Sequence, residues 1–127
     1  MSHRFTTAEE AEFEGAEGRN HYWHSKPGFT DTADLLVVRC VIEPGQGHAF
    51  HYHPNKEEVI YFISGEAEQW IGKEKRLMGP GSSVYIPADV VHATFNKSAT
   101  PIEFVAIITP ASAEGPITVD LGENPPP

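Results

Sequence analysis

The sequence predicts an all-β fold, either a sandwich or a barrel. Apolar runs are short, Gly and Pro turns separate them, and no stretch carries a convincing amphipathic helical repeat. A chain of 127 residues is long enough for one domain with a real core and too short for two.

Residues 1–18 hold five glutamates and little to bury except Phe5 and Phe13. This acidic arm is expected to form a short helical turn or to stay disordered, outside the core. Tyr22 and Trp23, followed by Lys26-Pro27-Gly28, suggest an early strand and a turn. Leu35 to Ile42 is rich in valine and closes at Pro44-Gly45, which marks a strong strand. Phe50–His53 and Val59–Ile63 follow as strands around a Pro54-Asn55-Lys56 corner. Ala67–Ile71 and Lys75–Met78 read as a hairpin across Gly72-Lys73. Ser83–Ile86, His92–Asn96 and Ile102–Ile108 complete the series, and Ile117–Val119 adds a terminal edge strand. The single domain is placed at residues 19–121, with 122–127 as a loose Pro-rich tail.

A net charge of −9 and a pI near 5.1 argue against a nucleic-acid partner, which calls for a basic face. No run approaches the length of a membrane-spanning helix, and the Met1–Phe5 start leads into glutamates rather than an apolar leader. A cytoplasmic protein with a small-molecule ligand is the expectation. Cys40, the one cysteine, sits in an apolar run and is expected to act as a small buried hydrophobe.

The chemistry lies in three histidines and one glutamate. His51 and His53 are two apart, so on an extended chain they leave the same face. Glu58 follows the Pro54 corner, and His92 stands in a later strand. Neutral imidazoles with a carboxylate suit a first-row divalent metal. Glu57, adjacent to Glu58, would face the opposite way on a strand. His3, His21, His24 and His48 have no such company and are read as surface or satisfied core residues.

The spacing adds specificity. Gly45, five residues, His51-x-His53, four residues, Glu58, six residues and Gly65 resemble the first signature of the cupin superfamily. Gly81, five residues, Pro87, one residue, Asp89, two residues, His92, three residues and Asn96 resemble the second. Asp89 departs from the family's usual glycine, and an aspartate tolerates a left-handed backbone better than most residues.

The resemblance implies a double-stranded β-helix, the small jelly-roll barrel of cupins, with His51, His53, Glu58 and His92 as ligands of one divalent ion. Fe, Mn, Ni, Co and Zn all suit this set, with Fe preferred. It also implies an enzyme acting on an oxygen-rich small molecule. A non-haem iron dioxygenase is favoured over an isomerase, decarboxylase or lyase, and a non-enzymatic binding module is the alternative from another class.

Alternation from the ligands puts Ile60, Phe62 and Thr94 on the ligand face as candidate substrate contacts. Arg39 has two meanings. It either faces solvent or points inward and clamps a substrate carboxylate. Asn96 is expected to hydrogen-bond the turn backbone. Phe50, Trp70, Phe95, Phe104 and Ile108 are candidates for the apolar wall. Val59–Ile63 and most of Leu35–Ile42 are apolar on both faces, which calls for a second layer. A homodimer packed through these strands is therefore expected.

Overall fold

The computed structural model describes residues 3–127, and among these eleven antiparallel strands build the fold. The strands are β1 (Glu12–Ala16), β2 (Arg19–Ser25), β3 (Leu36–Ile42), β4 (Gly47–Tyr52), β5 (Glu57–Ser64) and β6 (Ala67–Ile71). They continue as β7 (Glu74–Met78), β8 (Ser83–Ile86), β9 (His92–Phe95), β10 (Ile102–Thr109) and β11 (Val119–Gly122). One sheet runs β1-β2-β3-β10-β5-β8 and the other β11-β4-β9-β6-β7. Together they form the double-stranded β-helix, with no helix among the described residues.

Alternation along the central strands decides what is inside. In β3, Leu36, Val38, Cys40 and Ile42 are buried while Val37, Arg39 and Val41 face outward. β10 repeats the pattern with Ile102, Phe104, Ala106 and Ile108. Ile60 and Phe62 of β5 meet them, and the Phe62 and Phe104 rings pack at 5.7 Å. Burial of this apolar face is what holds the sheet in register, because a one-residue slip would turn every side chain outward.

The acidic arm behaves differently from its expectation. Glu12–Ala16 is neither helical nor loose but pairs with β2 along its length. Its outward residues are exposed, so it adds an edge strand and no core. Cross-strand partners compensate for the poor composition: Phe13 packs on Tyr22 at 5.4 Å, and Glu12 pairs with Lys26.

The outward face of β5 stays uncovered. Val59, Tyr61 and Ile63 are 38%, 49% and 41% exposed, and Ile107 beside them is 39% exposed. The N-terminal strands cannot shield this face, because they extend the same sheet past β3 instead of layering over it.

Candidate metal centre

β4 and β9 lie side by side in the second sheet, with His51 opposite His92. His53 follows at the end of β4, and the Pro54 corner returns the chain into β5 so that Glu58 faces inward. Asn55 turns that corner at φ 59°, and its N–H donates to Asp89 Oδ1 at 2.9 Å. Asp89 itself sits at φ 68°. The residue that replaces the usual glycine therefore adopts the left-handed backbone and also ties together the two turns that carry the site. Glu57 points outward and accepts a hydrogen bond from the Tyr85 hydroxyl.

The four side chains converge. Ligating nitrogens of His51, His53 and His92 lie within 4.8 Å of one another, and all three residues are buried. Glu58 Oε1 is 3.1 Å from His53 Nε2 and 2.9 Å from His92 Nε2. Each imidazole also presents Nδ1 to a backbone carbonyl: His51 to Ala49 at 2.6 Å, His53 to Ile117 at 2.7 Å, His92 to Val90 at 3.0 Å. A carbonyl only accepts, so each Nδ1 carries the proton and each neutral ring keeps a bare Nε2. Bare nitrogens gathered around a carboxylate repel it unless a cation or protons stand between them. The donor set thus fits a divalent ion, with tautomers fixed by outer carbonyls as metal-binding histidines require.

The titration of these groups, with no ion bound, follows from the same geometry. Burial holds His51 well below the usual histidine range, and repulsion from His92 adds to it. For His53, burial opposes the charge, but the protonated ring would gain a hydrogen bond and an ion pair with Glu58, which outweigh burial, and the value rises. Glu58 is likewise penalised by burial, yet the neighbouring His53 and His92 imidazoles hold it below the usual carboxylate value.

One buried lysine supports the arrangement. Lys56 is 1% exposed, and its Nζ donates to the carbonyls of Pro54, Ala113, Gly115 and Pro116 at 3.1–3.4 Å. This cage holds the 113–116 loop against the Pro54 corner and delivers the Ile117 carbonyl to His53. Asn96 is fully buried and bonds the Ile42 and Thr100 carbonyls, the turn role expected of it.

His51, His53 and Glu58 open onto a cavity of about 350 Å³. Its apolar wall includes Trp23, Val38, Phe104, Ala106 and Ile108, and Ile117 and Thr118 close one side. Cys40 also lines it, and burial pushes its thiol up to about 12. Arg39 is placed elsewhere: it lies on the outward face, bonds Glu103 at 2.7 Å and covers the Tyr22 ring. The inward clamp is therefore corrected to an outer-surface ion pair, because β3 alternates strictly and Cys40 takes the inward position.

Ile60, Phe62 and Thr94 do face inward, but they lie in the core outside the cavity lining, and Thr94 donates to Gln69. Phe50, Trp70 and Phe95 cluster together away from this cavity. His21 and His48, read as bland, line the cavity together with Arg19, on which the sequence reading is silent, and His48 stacks on His51 at 3.5 Å. Alternation hides His48, which is three positions from His51. An irregularity in the β4–β9 register between the two restores it to the inner side.

A barrel of two antiparallel sheets with three buried histidines and a carboxylate converging beside an inner cavity has the form of a metal-site β-barrel. Residues 38–108, more than half of the chain, match the family model described as cupin domain, and the protein belongs to that family. It is 33% identical over 99 residues to glucose-6-phosphate isomerase of Thermococcus kodakarensis, covering 63% of this chain and 49% of the isomerase. It is 28% identical to the mannose-1-phosphate guanylyltransferase ManC of Salmonella typhimurium over 72% of this chain. The chain spans about a fifth of that relative's length, 21%.

Among solved structures, KdgF from a Halomonas species superposes with a TM-score of 0.73 at 20% identity, over 86% of this chain and 94% of KdgF. Bacillus subtilis oxalate decarboxylase, which has Mn(II) centres, gives a TM-score of 0.74 at 25% identity, over 90% of this chain and 31% of the enzyme. Among the described residues, no helix is long and apolar enough to cross a membrane.

Proposed function

We propose that this protein is a mononuclear metal-dependent enzyme acting on a small, oxygen-rich molecule, with His51, His53, Glu58 and His92 as the ligands. The convergence of three bare Nε2 atoms and one carboxylate, with His51, His53 and Glu58 open to a cavity, carries this reading. Four ligands leave an octahedral ion two positions open to the cavity, unlike a saturated structural zinc site. A divalent ion held there would polarise a substrate oxygen, and an iron would add reaction with dioxygen.

The chain's own residues do the rest. Carbonyls of Ala49, Ile117 and Val90 fix the imidazoles, the apolar wall limits water, and His21 and His48 offer nitrogens that can carry a proton beside the substrate. That provision suits proton rearrangement, so isomerase, lyase or decarboxylase chemistry is preferred here to the dioxygenase favoured by the sequence alone. Relatives named as an isomerase and a decarboxylase support the same choice. Oxygen uptake by the Fe(II)-loaded protein with catechol, thiol and diketone substrates tests it. No uptake is expected, and uptake with any of them restores the dioxygenase.

The uncovered apolar face of β5 and β10 supports a homodimer. Val59, Tyr61 and Ile107 would pack against a second copy and complete the layer that these strands lack on their outer side.

A further inference from the structure

Arg19 is the cavity's unsatisfied cation. Carboxylates outnumber lysine and arginine two to one in this chain, 18 to 9. The other charged groups around the cavity are engaged. Lys26 pairs with Glu12, Glu14 accepts from Trp23 Nε1 at 3.1 Å and contacts His21 Nδ1 at 3.3 Å, and Glu58 belongs to the metal centre. Among the described residues, Arg19 forms no ion pair. Its Nη1 donates to the Glu17 carbonyl at 3.0 Å, while its Nε is buried with no hydrogen-bond partner. The edge left over is Nε with Nη2, the side of a guanidinium that grips a carboxylate with two parallel hydrogen bonds.

The backbone places Arg19 on the wall of the same cavity, next to His48. Gly18, at φ +81°, brings the β1–β2 turn so close to β4 that a Cβ would run into the Gly47 carbonyl oxygen. The next residue on each side is then Arg19 and His48. His48 Nε2 is buried without a hydrogen bond, with Asp120 Oδ1 its nearest carboxylate at 3.6 Å. The His48 ring lies flat on His51. Arg19, His48 and His51 thus follow one another along the cavity wall.

We propose that Arg19, with His48 beside it, is the anion fork of the cavity, and that the substrate is a small carboxylate. Its charged end lies on the Nε–Nη2 edge while its other oxygens face His51, His53, Glu58 and His92. This rests on the metal-enzyme reading above and names its substrate class. A cavity of about 350 Å³ restricts the ligand to small molecules, at the lower end of the roughly 300–1,000 Å³ of ligand pockets.

Calorimetric titration of the Mn(II)-loaded protein with lactate, its neutral amide and inorganic phosphate tests the fork. Lactate is expected to bind at least about tenfold more tightly than lactamide, and Arg19→Gln to weaken lactate by about 10–100-fold. Arg19→Lys keeps the charge without the fork and recovers only part of the loss. Circular dichroism of both variants confirms the fold. Equal lactate affinity in Arg19→Gln and the parent, tighter binding of phosphate than lactate, or no lactate binding at millimolar concentration overturns the proposal. The same titration on chelator-treated protein separates it from the metal reading. The preference for lactate over lactamide should persist there, and its disappearance counts against the fork even where metal binds.

Discussion

His92 Nε2 lies 2.9 Å from Glu58 Oε1, yet the two make no hydrogen bond. The Nδ1 of the same ring donates to Val90, so the nitrogen facing the carboxylate is bare in the neutral ring. A buried lone pair held against an anion is unfavourable by itself and becomes favourable once a cation lies between them. Replacing Glu58 with Gln keeps the shape and removes the charge. Metal affinity should then fall by more than the roughly 10–100-fold that follows loss of an outer-shell partner. Competition with a chromophoric chelator measures it, and Glu57→Gln should leave affinity unchanged.

Acidification should destabilise the metal-free protein. His51 and His48 titrate below the ordinary 6.5 because burial resists their charge. Below about pH 6.5 the unfolded chain binds protons that the folded state refuses, so their contribution is lost as pH falls. His53 runs the other way. Its raised value gives a contribution that is full below 6.5 and fades as pH rises through its folded value. The Glu58 contribution is present above its ordinary 4.5 and is lost only on further acidification towards its lowered folded value. His21, lowered by burial as well, acts in the same sense as His48 and His51, and thermal melts of chelator-treated protein should drop between about pH 7.5 and 5.5. Metal binding requires bare nitrogens, so loss of the ion over the same range should steepen the drop in the loaded protein.

Lys56 acts at a distance from the cavity. Lys56→Met removes the ammonium from four carbonyls and leaves them without a donor. The expected loss is about 1–3 kcal/mol by denaturant unfolding. Because the same cage presents Ile117 to His53, metal affinity should fall by about 10–100-fold as well. A variant that loses stability but keeps full metal affinity would show that the loop does not position His53.

The exposed stripe on β5 should be covered in solution. Light scattering is expected to give twice the 14.0 kDa chain mass at micromolar concentration. Tyr61→Asp should give a monomer with intact secondary structure, and a monomeric parent protein would remove the dimer.

The convergence of His51, His53 and Glu58 was legible because their spacing is local: a step of two positions between histidines on one strand face, a corner, and an inward position on the next strand. Alternation also put Ile60, Phe62 and Thr94 on the correct side. It could not give depth along the barrel, and those three are core rather than cavity. Arg39 was left ambiguous because an arginine in a valine-rich strand suits either face until the sheet is closed. Arg19, His21 and His48 were missed for a different reason. Their site exists only where a hairpin of one sheet touches a strand of the other, and the β4 irregularity reverses the face that counting assigns to His48. β1 was hidden by its own glutamates, since an edge strand held by cross-strand pairs needs little apolar patterning.

Elemental analysis of the protein purified without added metal tests the metal centre most directly. About one divalent transition ion per chain is the predicted content. Folded protein that contains none, and takes up none on dialysis against Mn(II), Fe(II), Co(II), Ni(II) or Zn(II), would contradict it.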